Sequence, residues 1–378
     1  MWIYKQVPYL SKTFHKKSPR SIPLISLIVP ARNEAHTIGK TIESLKSQTY
    51  LRMEIIIVDD YSTDDTVNVS KNTVGADKRF KVLDLKSIRK EKLSDWFGKS
   101  YAVQQASMQA KGEWLVFIDA DINLSPQVIE KAVTFVTENK LDFLSVLPHQ
   151  LCDSFWTKVV QPIPLMVLLL NLFHIYNQKS KIAIAFGCFI IMKHSVFDKI
   201  GGYEQIKNKI ADDAEMAKVV KRSGFKIGIV HAQDMIKIKM YEKFSDLWEG
   251  WSKNIFLGLA QNTRIQSKAL KALFILAGFV GFFSIFLFPF ILIGISLILC
   301  LFYRASYWEY LFIYSSLLWL FEVCAQFIIQ KRYGIGSPKY ALLSFLGGVI
   351  VLGIFLDTPI KILSGKGIQW KGRSYFHK

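Results

Sequence analysis

The sequence predicts an α/β domain followed by a C-terminal α-helical transmembrane domain. Three observations predict it. Up to about Gln266, short apolar runs rich in Ile and Val alternate with amphipathic stretches. From Leu270 the apolar runs lengthen towards membrane-spanning size. The composition, 51% hydrophobic yet 21% charged with a mean hydropathy of +0.24, fits a soluble domain joined to a membrane domain. A chain of 378 residues has room for both.

Residues 1–23 form a basic segment carrying Lys5, Lys12, Lys16, Lys17 and Arg20. It lacks an apolar core of signal-peptide length, so the front of the chain is expected on the cytoplasmic side. Residues 24–235 form the α/β domain. Ser26–Val29, Glu54–Val58, Lys81–Leu85 and Trp114–Ile118 read as strands. Ile38, Ile42 and Leu45 recur at helical spacing. A further helix opens at Ser125-Pro126, a good N-cap followed by Pro in the first turn, and carries Val128, Ala132, Val133 and Val136 inward. Continuous apolar strands separated by helices predict a largely parallel sheet covered on both faces.

Trp156–Tyr176 is apolar but interrupted by Pro162 and Pro164, and reads as a helix lying on the membrane surface or on the sheet. In residues 236–266, Tyr241–Leu259 is an amphipathic helix with Trp248 and Trp251, suited to the headgroup layer or to a core-facing position. Residues 267–360 hold about four spans: Leu270–Leu287, Phe290–Tyr303, Leu311–Ile329 and Tyr340–Leu356. An even count returns the basic tail, residues 361–378, to the cytoplasmic face and leaves Lys331, Arg332 and Lys339 outside. The protein is thus expected in the cell membrane, multi-pass, with its α/β domain cytoplasmic.

The net charge of +18 admits nucleic acid, anionic lipid or a phosphorylated substrate as partner. Its concentration at the two ends of a membrane chain favours lipid headgroups, and no nucleic-acid-reading motif is present. Cys152, Cys188, Cys300 and Cys324 form no CxxC pair and read as isolated reduced thiols.

The chemistry lies at strand ends. Trp114–Ile118 runs into Asp119-Ala120-Asp121, whose carboxylates share a face because residues i and i+2 of an extended chain point the same way. Open α/β sheets bind ligands at this edge. Paired carboxylates repel unless neutralised, which a divalent cation such as Mg2+ or Mn2+, held jointly with diphosphate oxygens, would do. A solvated acidic turn is the plain alternative.

The second strand delivers Asp59 and Asp60, able to accept from a base imide or ribose hydroxyls; Ser62, Thr63 and Asp64 also suit a helix cap. The first strand ends at Pro30, with Arg32 and Glu34 placed to frame a nucleoside. Lys99 precedes a helix, where it would meet a nucleotide or remain a surface lysine. Asp212 and Asp213 open another helix, suiting its dipole or supplying the general base that a hydroxyl acceptor needs.

Taken together, Ile28–Glu34, Val58–Asp64, Gly98–Ala102, Phe117–Asp121 and Gly201-Gly202-Tyr203 followed by Asp212-Asp213 resemble glycosyltransferase family 2, across roughly residues 24–235. The resemblance implies a GT-A fold and an inverting, metal-dependent single displacement from a nucleotide-sugar. It assigns the nucleoside to the first two strand ends, the metal to Asp121 with Asp119 beside it or the ribose, and the base to Asp213. Two departures stand out: Asp212 replaces the usual Glu, and Tyr61 replaces the usual Gly. The Gln-x-x-Arg-Trp of processive synthases is absent, with Trp248–Asn254 in its place, which favours transfer of one sugar over polymer synthesis. The spans and the ending Gln369–Tyr375 look like membrane glycosyltransferases of carotenoid and hopanoid pathways, implying a lipid or isoprenoid acceptor and a UDP-sugar. The turn around Gly187 and the helix of Trp248 and Trp251 are expected on the acceptor side. A polysaccharide synthase and a non-catalytic membrane scaffold are the competing readings; three intact acidic clusters count against the scaffold.

Overall fold

The computed structural model describes residues 7–13, 22–89, 96, 99–169, 175, 180, 182–209, 211–261, 268–303, 305–363, 368–370 and 373–375. Expectations resting on Lys5, Lys16, Lys17, Arg20, Phe97, Gly98, Ile210, Gln266, Lys366, Lys371, Gly372 and Lys378, and on most of residues 170–179, lie outside them. The chain divides into two compact units: residues 1–149 with 170–239, and residues 150–169 with 240–378.

In the first unit the elements run β1 (Ile25–Ala31), α1 (Ile38–Lys46), β2 (Met53–Asp59), α2 (Thr66–Val74), β3 (Phe80–Asp84), α3 (Leu85–Ile88), α4 (Ser100–Ser107), β4 (Trp114–Ile118), β5 (Ile122–Leu124), α5 (Val128–Glu138) and β6 (Phe143–Gln150). After the segment that belongs to the second unit come β7 (Phe189–Lys193), α8 (His194–Lys199), α9 (Asp212–Arg222) and β8 (Ile227–Ile238).

The eight strands form one sheet in the order β3-β2-β1-β4-β7-β6-β8-β5. Its first half matches the expectation of parallel strands: β1 pairs in parallel with β2 and β4, and β2 with β3. The second half corrects it. β7 pairs antiparallel to β4, β6 antiparallel to β7, and β5 antiparallel to β8. The cause is local: the Asp119 N–H donates to the Cys188 carbonyl at 3.1 Å, so β7 starts where β4 ends and runs back along it. The sheet is therefore mixed, and its parallel C-terminal edge is met by the start of β7.

Ile25, Leu27 and Val29 of β1 and Ile55 and Ile57 of β2 pack with Ile38, Ile42 and Leu45 of α1 and with Val128, Ile129 and Ala132 of α5. The stretch Val7–Thr13, read from sequence only as basic, also joins this unit. Leu10 is fully buried, Tyr9 bridges His231 of β8, and the Lys131 ammonium of α5 donates to the carbonyls of Ser11 and Thr13 at 2.8 and 2.9 Å.

The second unit contains α6 (Phe155–Val160), α7 (Pro162–Leu169), α10 (Phe244–Gln261), α11 (Lys268–Phe286), α12 (Phe288–Phe302), α13 (Ser306–Tyr333) and α14 (Ser344–Leu363). Pro162 and Pro164 fall in the first turn of α7, where a missing N–H costs least. Among the described residues two stretches are long and apolar enough to cross a membrane: Ser306–Tyr333, and Pro338–Thr358 over the start of α14. Gly278–Phe286 and Phe288–Phe302 pass the same test only as a pair, bent by 49°.

The candidate active site

The loops after β1 and β2 are zipped together. The Asn33 N–H donates to the Ser62 hydroxyl at 3.0 Å, Glu34 N–H to Thr66 at 2.8 Å, and Thr63 N–H to the Asn33 side chain at 2.8 Å. Asn33 and Tyr61 both adopt left-handed backbone, φ 54° and 61°, a conformation that Gly adopts more freely than Tyr. This pairing places Pro30, Arg32 and Glu34 beside Asp59 and Asp60.

Asp59 and Asp60 are each only 2% exposed. The Ser62 N–H donates to Asp59 Oδ2 at 2.9 Å, while Oδ1 is buried with no hydrogen-bond partner. Burial pushes the Asp59 carboxyl above its ordinary range; hydrogen bonds from Ser62 oppose the rise, and Asp84 and Asp60 add to it. Such a carboxyl keeps an unsatisfied acceptor, as recognition of a donor N–H or hydroxyl requires.

At the end of β4, Asp119 forms an ion pair with Lys99, whose ammonium also lies 3.5 Å from the Gly187 carbonyl. Burial alone would lower the Lys99 ammonium, but Asp119, Asp212 and Tyr203 outweigh it and hold it well above its usual range. Lys99 is thus a permanent cation beneath the acidic cluster. Asp121 is exposed at the tip of the turn.

Asp212 and Asp213 open α9. The Ala214 N–H donates to Asp213 Oδ1 at 2.7 Å, and Asp212 Oδ2 is buried without a partner. Gly187 lies flat against Asp213: a Cβ there would sit 3.0 Å from its Oδ2 and 3.2 Å from its Cβ. Burial, then the charge of Asp212, raises the Asp213 carboxyl to about 6, against the pull of the Ala214 N–H and Lys99. That value suits a group that gains and loses a proton near neutrality.

The structure thus brings together Lys99, Asp119, Gly187, Asp212 and Asp213, and separately pairs the Arg32–Glu34 loop with Asp59 and Asp60. Trp248 and Trp251 belong to the second unit. There the Trp251 indole is 5% exposed and donates to Gln161 at 2.8 Å, and the Trp248 indole donates to Asp357 at 2.7 Å.

Sequence reading gave Tyr203 only as part of a motif, without a place at the site, and missed Thr41. Tyr203 is fully buried, edge-on to Phe117 with ring centroids 5.6 Å apart, and burial followed by the charge of Asp212 raises its phenol well above the usual range. Thr41 donates its hydroxyl to the carbonyls of Ala120 and Ile122 at 2.8 and 3.0 Å. The available signal for Thr41 was a hydroxyl on the inward apolar face of α1, beside Ile38, Ile42 and Leu45.

Among the described residues no group of three His, Cys, Asp or Glu side chains could hold a metal ion. The donor set therefore fits a hard divalent ion only jointly: Asp121, with Asp119 behind it, leaving most positions to water and phosphate oxygens.

Residues 26–201 match the family model described as glycosyl transferase family 2. Together with the relatives described next, this match supports the chain being a glycosyltransferase. In particular it is similar to 4,4'-diaponeurosporenoate glycosyltransferases. It is 25% identical over 357 residues to that of Staphylococcus aureus (strain MRSA252), covering 93% of this chain and 88% of the relative. To that of Staphylococcus haemolyticus (strain JCSC1435) it is 25% identical over 254 residues, and there the match spans 66% of either chain. In fold it is similar to the mannosyltransferase PcManGT from Pyrobaculum calidifontis, solved in complex with GDP-Man and Mn2+. The TM-score is 0.54 at 16% identity, covering 96% of this chain and 93% of that one. That likeness establishes the GT-A fold.

Proposed function

We propose that this protein transfers one sugar from a nucleotide-sugar, with UDP as the expected nucleotide, to a lipid or isoprenoid-type acceptor in the membrane, with inversion at the sugar carbon. The observation that carries the reading is the cluster at the end of β4, where Asp119, Lys99, Gly187 and Asp213 meet. A carboxyl raised to about 6 stands there beside a fixed cation, at the edge where such sheets bind nucleotides.

In this reading Asp59, with its unsatisfied oxygen, and Asp60 hold the base and ribose, with Pro30, Arg32 and Glu34 closing over them. Asp121, supported by Asp119, would hold Mg2+ or Mn2+ against the diphosphate. When bound, that ion stabilises charge on the departing diphosphate. Lys99 fixes Asp119 and adds positive potential beneath the phosphates. The acceptor oxygen attacks the anomeric carbon as Asp213 takes its proton; the carbon–oxygen bond to the diphosphate breaks and the nucleoside diphosphate leaves. Gly187 leaves the acceptor face of Asp213 uncovered.

Two C-terminal helices apolar enough to span a bilayer, and relatives named for a lipid-type substrate, support the membrane acceptor. We place the catalytic domain on the cytoplasmic face.

The direct test is a screen of UDP- and GDP-sugars in detergent-solubilised protein with Mg2+ or Mn2+, followed by mass spectrometry of the lipid fraction. A lipid product one sugar heavier, absent with Asp121→Asn, is expected. A polymer, a water-soluble glycoside alone, or an undiminished Asp121→Asn product would overturn the reading.

A further inference from the structure

The turn between β4 and β5 presents the carboxylates proposed to meet the metal, yet Asp121 itself is exposed at its tip. The backbone on either side of it is held by hydrogen bonds. On one side the Asp119 N–H is held by the Cys188 carbonyl at 3.1 Å. On the other, the Thr41 hydroxyl reaches the carbonyls of Ala120 and Ile122, the two residues flanking Asp121, at 2.8 and 3.0 Å.

Thr41 is 1% exposed, and its helix is hydrogen-bonded to its surroundings at both ends. Gln48, two turns further along, donates to the carbonyls of Ser44 and Ser125 at 2.9 and 3.0 Å and accepts from the Ile129 N–H at 3.3 Å. Just before α1, the Ala35 N–H donates to Asp64 at 3.1 Å and the Glu34 N–H to Thr66 at 2.8 Å. So α1 is tied at its start to the nucleoside loops, at its end to the segment entering α5, and in its middle to the metal turn.

We propose that Thr41 is a positioning residue: its buried hydroxyl aims Asp121 and couples the metal turn to the nucleoside loops through α1. The physical reason is that two buried carbonyls share one donor. Removing it leaves at least one of them unsatisfied in the interior, and the turn relaxes to find another partner. A carboxylate on a relaxed turn binds a hard cation less well, because the ion's geometry is strict and the protein supplies few of its ligands. The nucleoside pocket, whose hydrogen bonds do not include Thr41, keeps its intrinsic affinity. This inference rests on the proposed nucleotide-sugar site.

The test is calorimetric binding of UDP and of GDP to the full chain in detergent, with and without Mn2+. Wild-type protein is expected to bind one of them more tightly when Mn2+ is present. In Thr41→Val the metal-free affinity stays within about twofold, while the enhancement by Mn2+ falls about tenfold, the worth of one buried hydrogen bond. Thr41→Ser, which keeps the hydroxyl, restores it. Thr41→Ala, which cannot overfill the site, is read in the same way should the valine variant fail to fold. Unchanged enhancement in the valine or alanine variant, equal loss with and without Mn2+, or failure of serine to rescue would overturn the inference alone. Wild-type protein that gains nothing from Mn2+ with either nucleotide would overturn the functional reading as well.

Discussion

Asp213 combines burial, a like-charged neighbour and a glycine floor, and its behaviour with pH follows from those three. The proposed base works only when ionised. With its carboxyl raised to about 6, kcat/KM should fall about tenfold per pH unit below that value and level off above it. A flat profile between about pH 5 and 7 would remove Asp213 from that role. The same shift has a stability consequence of definite sign. A carboxyl raised on folding favours the native state most below the ordinary carboxylate range and loses that contribution as pH rises through about 6. Asp213→Asn should therefore melt no lower than wild type at pH 7, and its relative advantage should grow between about pH 4 and 7, read from thermal unfolding at each pH. The acids at strand ends were legible in the sequence because apolar strands stop abruptly at them. The ion pair of Lys99 with Asp119 was not, because residues 20 apart meet only through the sheet.

Among the elements, the start of β7 matters most. Gly187 and Cys188 at this entry touch Lys99, Asp213 and Asp119 in turn. Gly187→Ala would drive a methyl to 3.0 Å from the Asp213 carboxylate. The expected outcome is a kcat lowered about 10–100-fold with donor KM and melting temperature nearly unchanged, since the clash is met by moving the base and not the sheet. A drop in melting temperature with kcat preserved would mean that Gly187 serves packing instead. Gly202 makes the contrast. It has φ +57°, and a Cβ there would lie 2.6 Å from the Phe197 ring, so Gly202→Ala should cost about 1–3 kcal/mol of stability, measured by denaturant unfolding. The parallel strands were legible as unbroken Ile and Val runs, while the returning strands were not. β6 carries Pro148 near its end, β5 has three residues, and β8 mixes His231, Gln233 and Asp234 into its apolar pattern. β6 and β8 are held by their neighbours in the sheet more than by their own periodicity.

For the whole molecule, a sheet carrying the chemistry is joined in one chain to helices of membrane character. Helix α13 shows why the apolar runs alone did not settle the span count. Its outward residues are large and apolar, with Phe321 75% and Leu317 60% exposed, yet its packed side carries Ser315, Glu322, Gln326 and Gln330, all buried. Polar groups turned inward and apolar groups outward suit lipid, not water. The protein should stay in the membrane pellet through alkaline carbonate extraction; release into the supernatant would contradict the membrane reading. The first two apolar runs correspond to α11 and α12, which pass the span test only as a bent pair, with the break at Leu287 ahead of Phe288-Pro289. The turn signal was visible in the sequence, but whether two short helices make one crossing or two is not a property of either helix alone.

The role of Asp213 is tested by the rate of sugar transfer to the lipid fraction by membranes containing wild type or Asp213→Asn, at saturating nucleotide-sugar and Mn2+. Transfer reduced by about 10²–10⁴-fold, with nucleotide binding intact, is the expected result for loss of a general base. Transfer by Asp213→Asn at the wild-type rate would mean that Asp213 is not the base.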